Sequence, residues 1–104
     1  MKNILSDVPH NLPDELIEII AENDDIRIER IVSRGHASSP GFWYDQSKNE
    51  FVLLISGEAR LKFEKKAECI RMQAGDYIII SAHVRHRVEW TAPNRDTVWL
   101  AVHY

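Results

Sequence analysis

The stretch EFVLLISGEARLKFE, residues 50–64, decides the fold. It consists of two strand-like runs joined at Ser56-Gly57-Glu58, a tight-turn signature. Strand alternation places Glu50, Val52 and Leu54 on one face and Phe51, Leu53 and Ile55 on the other. More strand-like runs lie on either side. IRIERIV (26–32) comes first in the chain, and ECIRM (68–72), YIIIS (77–81), HRVEW (86–90) and TVWLAVHY (97–104) follow. The breaks between them, QAGD, SAHVR and TAPNRD, are rich in turn formers. Seven or eight short strands at this spacing predict an all-β sandwich or small barrel. No helical pattern of crossover length follows a strand, which argues against a parallel sheet.

Only the start of the chain reads differently. NLPDELIEIIAEN (11–23) is expected to form a short helix, with Asn11 as N-cap, Pro13 in the first turn and Leu12, Leu16, Ile19 and Ile20 as its apolar stripe. The alternation Leu16, Glu18, Ile20 would also suit a strand. The expectation is one domain over residues 1–104, with an N-terminal helix or arm over 1–25 and a barrel core over about 26–104.

At 44% hydrophobic and 28% charged, the 104 residues can build a folded core. The net charge of −3, with no basic stripe, gives no electrostatic footing for nucleic acid or an anionic membrane. Cys69 is the single cysteine, so no intrachain disulfide forms; this suits a reducing compartment, and the residue is expected to be a buried thiol. No apolar stretch is long enough for a signal peptide or a bilayer span, and the expected location is cytoplasmic. Ser, His and Asp occur without a nucleophile-elbow context, so serine-type hydrolysis has no support.

The spacing around the opening stretch is specific. Six residues separate Glu50 from Gly57, and GDYIIISAHVRH runs from Gly75 to His86. The pair resembles the two signature motifs of the cupins, small jelly-roll β-barrels. The resemblance spans about residues 26–104 and implies a barrel enclosing a small-molecule cavity, commonly with a divalent metal. Carried over, Glu50 falls on the first motif's glutamate and His86 on the second motif's histidine. The histidine pair of the first motif falls on Trp43 and Asp45 with a four-residue spacer, or on Tyr44 and Gln46 with three. Ser81, His83 and Trp90 replace the second motif's proline, glycine and asparagine.

A carboxylate facing an apolar cavity needs a cation, a proton or hydrogen bonds. The resemblance therefore implies Glu50 and His86 as metal ligands, with Asp45 and His83 as candidates to complete the set. Such an oxygen-rich site suits Zn²⁺, Mn²⁺ or Fe²⁺. His103 alternates with Trp99 and Ala101 and reads as a core or rim residue, while His36 and His10 read as surface residues. Tyr44 and Gln46 read as hydrogen-bonding groups, with Asp45 or Tyr44 as a proton-transfer partner. Trp43, Trp90 and Trp99 read as core fillers or as a stacking wall, and Arg27, Arg30 and Arg34 as a solvated or subunit-facing row, with an anion clamp as the alternative.

The functional expectation is a metal- and small-molecule-binding cupin acting as an isomerase, lyase or dioxygenase on a carboxylate or carbonyl compound. With so few histidines, the dioxygenase option is the weakest. The alternative is a non-catalytic ligand-binding cupin. A homodimer is expected, with Leu53 and Ile55 available to meet a second copy.

Overall fold

A computed structural model describes residues 1–104. The chain forms eight strands and no helix: β1 (Leu16–Glu22), β2 (Arg27–Ser33), β3 (Glu50–Ser56), β4 (Glu58–Phe63), β5 (Ile70–Gln73), β6 (Tyr77–Ile80), β7 (His86–Thr91) and β8 (Thr97–His103). They make two antiparallel sheets, one of five strands in the order β1-β2-β8-β3-β6 and one of three in the order β5-β4-β7.

The turn at Gly57 is a corner rather than a hairpin, because β3 and β4 belong to different sheets. Alternation then sends Val52 and Leu54 of one sheet, and Ala59, Leu61 and Phe63 of the other, into a shared core with Met72, Ile80 and Trp99. Full burial of each large apolar side chain contributes roughly 1.5–3 kcal/mol.

The expected N-terminal helix is not what forms. Leu16–Glu22 is an edge strand, pairing Leu16 with Val32 and Glu22 with Arg27. Its helical stripe had no second layer to pack on, whereas β2 offered an open row of backbone donors and acceptors. Three arginines expected to face solvent or a partner have separate tasks. Arg30 is 7% exposed, pairs with Glu18 and donates to the carbonyls of Ile4, Ser6 and Asp7, so it ties the N-terminal arm to the sheet. Arg34 donates to Asp96 at 2.7 Å and to the carbonyls of His10 and Pro9. Arg27 lines the cavity between the sheets with its side chain 43% exposed, and its Nε donates to Glu29 at 3.0 Å.

Two further expectations change. Cys69 lies in the β4–β5 turn and is exposed, because the strand begins only at Ile70. Trp90, expected as a core filler or part of a stacking wall, is neither, because it does not share the inward face of His86 and Val88. The β4–β7 register slips between Arg60 and Leu61, pairing Val88 with Leu61 but Trp90 with Arg60. That bulge turns the Trp90 ring outward beneath the Arg60 guanidinium, 4.9 Å from the ring centre. Of the three tryptophans only Trp99 is buried; Trp43 is half-buried, with the Arg87 guanidinium 5.9 Å from its ring centre.

Candidate functional site

Between the sheets, at the β2-β8-β3 end, lies a cavity of about 250 Å³. Its inner wall is the margin of the core, formed by Val52, Leu61, Ile80 and Trp99. Its polar wall follows from strand register. Glu50 of β3 is directly opposite His103 of β8, which is opposite Arg27 of β2. Glu29, two residues along β2, points to the same side. His86 comes from the other sheet, on β7, and meets this row from across the cavity.

These side chains form a chain of charge contacts. His86 Nε2 is 3.5 Å from Glu50 Oε1, and His103 Nε2 is 4.0 Å from Glu50 Oε2. His103 Nε2 donates to Glu29 Oε1 at 2.9 Å, and Arg27 Nε donates to Glu29 Oε2 at 3.0 Å. His86 Nδ1 donates to the Val84 carbonyl at 2.9 Å, which leaves Nε2 directed at Glu50. Burial favours the neutral His86 ring, but the Glu50 hydrogen bond, the Val84 carbonyl and the Glu50 charge outweigh it and hold the imidazole above its ordinary value.

The segment before β3 supplies the lid. Tyr44 forms an isolated backbone bridge with His86, its N–H donating to the His86 carbonyl at 2.7 Å. The Tyr44 ring stacks on the His86 imidazole at 5.3 Å between centres. Alternation along this bridge points Tyr44 and Gln46 into the cavity. Of the two registers open in the sequence, the pair facing inward is therefore Tyr44 and Gln46. Burial, followed by the negative charges of Glu15, Glu50 and Glu29, pushes the Tyr44 phenol up, so at neutral pH it stays a donor. At the mouth, Glu15 accepts a hydrogen bond from Ser33 Oγ at 2.9 Å, and Ser33 Oγ in turn accepts one from Trp99 Nε1 at 3.2 Å. Burial pushes the Glu15 carboxyl up against the lowering effects of Ser33 and His36.

Of the four residues considered as ligands, Glu50 and His86 come together in the cavity. Asp45 and His83 meet each other outside it: His83 Nδ1 donates to Asp45 Oδ1 at 2.8 Å, with side chains 70% and 44% exposed. Their pairing fastens the lid segment to the β6–β7 loop, assisted by the His83 N–H bond to the Gln46 carbonyl at 2.7 Å. His36 accepts from the Arg34 N–H and donates to the Pro13 carbonyl, and does not reach the cavity.

Arg27, Glu29, His103 and Glu15 belong to the cavity although the sequence reading did not place them there. The alternation of Arg27 with Glu29, and of Trp99 with Ala101 and His103, was visible. Which face of each strand turns inward was not. Glu15 precedes its strand and carried no signal.

At the positions where the resemblance implies ligands, the inward set is Tyr44, Gln46, Glu50 and His86. Only Glu50 and His86 are ordinary divalent-metal donors; Tyr44 is held as a phenol and Gln46 is a neutral amide. No three His, Cys, Asp or Glu side chains converge on one point. The donor set does not fit a closed transition-metal cage.

Two facing antiparallel sheets around a polar-ended cavity define a double-stranded β-helix barrel of the small-molecule-binding kind. The chain belongs to the cupin family, since the family's cupin-domain model matches residues 30–103. A Ralstonia eutropha crystal structure, described as a candidate mannose-6-phosphate isomerase, is 45% identical with a TM-score of 0.95, covering 99% of this chain and 95% of that one. A cupin superfamily protein of Desulfitobacterium hafniense is 18% identical with a TM-score of 0.75, covering 92% and 82% of the two chains. An RmlC-like cupin of Methanocaldococcus jannaschii with a double-stranded β-helix fold is 15% identical with a TM-score of 0.72, covering 93% and 85%. These last two likenesses concern the fold alone. None of the curated proteins is significantly similar in sequence.

Proposed function

We propose that the cavity binds a small hydroxy-carbonyl compound and that Glu50 and His86 carry out proton transfer on it. The observation that carries this reading is the buried Glu50–His86 contact at 3.5 Å, which joins the two sheets across the cavity with its imidazole tautomer fixed by Val84. Burying such a pair costs several kcal/mol per ion, which a purely structural core would avoid. The isomerase description of the Ralstonia eutropha relative supports the same class of reaction.

The chemistry needs no oxidant. The Glu50 carboxylate removes the C–H proton next to the substrate carbonyl, and that electron pair becomes the new C=C bond. The carbonyl π electrons move to oxygen, which takes a proton from the His86 imidazolium. Returning a proton to the neighbouring carbon, with the second hydroxyl losing its own, gives the isomeric carbonyl compound. Tyr44 would donate to the developing enediolate oxygen, and His103 and Glu29 would hold the Glu50 carboxylate in place. The residues present do not fit a metal cage, and none of these steps passes through one.

The test is solvent deuterium incorporation into a panel of aldoses and ketoses, followed by proton NMR. Wild-type protein is expected to exchange the C–H next to the carbonyl, and Glu50→Gln and His86→Asn are each expected to slow exchange about 10²–10⁴-fold. Exchange no faster than buffer alone, or undiminished in folded Glu50→Gln, contradicts the proposal.

A further inference from the structure

Every ionic side chain facing the cavity except Glu15 already has a counter-charge inside the protein. Glu29 is held by Arg27 at 3.0 Å and by His103 at 2.9 Å. Glu50 faces His86 at 3.5 Å and His103 at 4.0 Å. The one other acid, Glu15, is hydrogen-bonded to Ser33 and is drawn by burial toward its neutral form. Arg27 is the only arginine or lysine in the lining, and its Nε is committed to Glu29. The remaining polar groups on the lid wall, the Tyr44 hydroxyl and the Gln46 amide, are neutral.

An incoming anion would therefore meet the Glu29 and Glu50 carboxylates, and the one arginine within reach already shares its charge with Glu29. No backbone cradle compensates, since the chain contains no helix whose N-terminus could face the cavity. Recognition of a phosphate or carboxylate ordinarily uses a free arginine fork or several N–H donors; here the single arginine, although only its Nε is bonded within the protein, is charge-paired with Glu29 at 3.0 Å.

We infer that the cavity takes an uncharged polyhydroxy or hydroxy-carbonyl compound and discriminates against phosphate esters and carboxylates of the same skeleton. The cavity volume of about 250 Å³ limits the ligand to the size of a small monosaccharide. Apolar residues on its inner wall match the C–H face of such a molecule, while the Glu50, Tyr44 and Gln46 groups match its hydroxyls. This inference rests on the reading of the cavity as the working site, and it adds the charge class of the ligand.

Matched pairs test it: dihydroxyacetone, glucose and fructose against dihydroxyacetone phosphate, glucose 6-phosphate and fructose 6-phosphate, titrated into the full chain and followed by amide NMR. At least one uncharged sugar is expected to give saturable shifts on β3, β7 and β8, with its phosphate ester weaker by at least about tenfold. Glu29→Gln, which frees Arg27, is expected to narrow that gap, provided the variant's amide spectrum shows the native fold. A phosphate ester that binds wild-type protein as tightly as its parent sugar overturns the inference. So does the absence of saturable shifts with all three uncharged sugars. If an anionic compound binds and its deuterium exchange still depends on Glu50, the ligand class fails while the proton-transfer function stands. If an uncharged sugar binds selectively without exchange, the ligand class stands and the proton-transfer function fails.

Discussion

His86 is restrained through both ring nitrogens, by the Val84 carbonyl on one side and Glu50 on the other. Because its value is raised above 6.5, its charged form is favoured in the folded state. The stability this contributes is present below the unfolded value and is lost as pH rises through the folded one. Proton transfer follows the same limb: exchange activity should decline as pH rises through the raised value, and Glu50→Gln should lower that value along with the activity. Glu15 is raised from 4.5 for a different reason, burial of a carboxyl at the mouth. Its neutral form favours folding, an advantage that disappears as pH rises through its folded value. Glu15→Gln should therefore leave stability unchanged below 4.5 and increase it progressively above, measured by urea denaturation across pH. At this level the sequence was half legible. Motif spacing singled out Glu50 and His86, but the partners Glu29 and His103 depended on knowing which strand face turns inward.

Local register explains most of the differences between sequence and structure. Alternation identified β2 through β8, yet a single extra residue in β7 was enough to turn Trp90 outward. Nothing in HRVEW marks that bulge, because it arises from the pairing with β4. Likewise, LIEIIAE has both helical and strand periodicity, and the open edge of β2 decides between them. The Gly57 corner was visible as a turn, and its geometry shows why glycine stands there. Its φ is +94°, and a Cβ would fall 2.6 Å from the Thr97 Cα and 2.8 Å from the Asp96 carbonyl. Gly57→Ala should cost at least about 2–3 kcal/mol in urea denaturation, since strain and backbone overlap add. A variant within about 0.5 kcal/mol of wild type would show that the corner can relax.

The two sheets have unequal outer surfaces. On the five-stranded sheet, Phe51, Tyr77 and Ile79 form an apolar group around the β3–β6 pair; Tyr77 is 66% and Ile79 58% exposed, and the Phe51 and Tyr77 rings lie 5.5 Å apart. We propose that a second copy covers this patch, since a face with no charge of its own meets its twofold image without like-charge repulsion. Sedimentation should find a dimer that Tyr77→Arg with Ile79→Lys converts to a monomer; a wild-type monomer at tens of micromolar would contradict this. The barrel itself was readable from the sequence because strand period, turn chemistry and motif spacing all agree. The chemistry was less so, because it depends on a pair that joins the two sheets only once they are folded. Imidazole ¹⁵N NMR of His86 across pH, in wild type and Glu50→Gln, tests that pair directly. The predicted result is a titrating ring protonated at Nδ1, with a value above 6.5 that falls when Glu50 is replaced. A ring that does not titrate, as when bound to a metal, or one whose value lies below 6.5 and ignores Glu50, would contradict it.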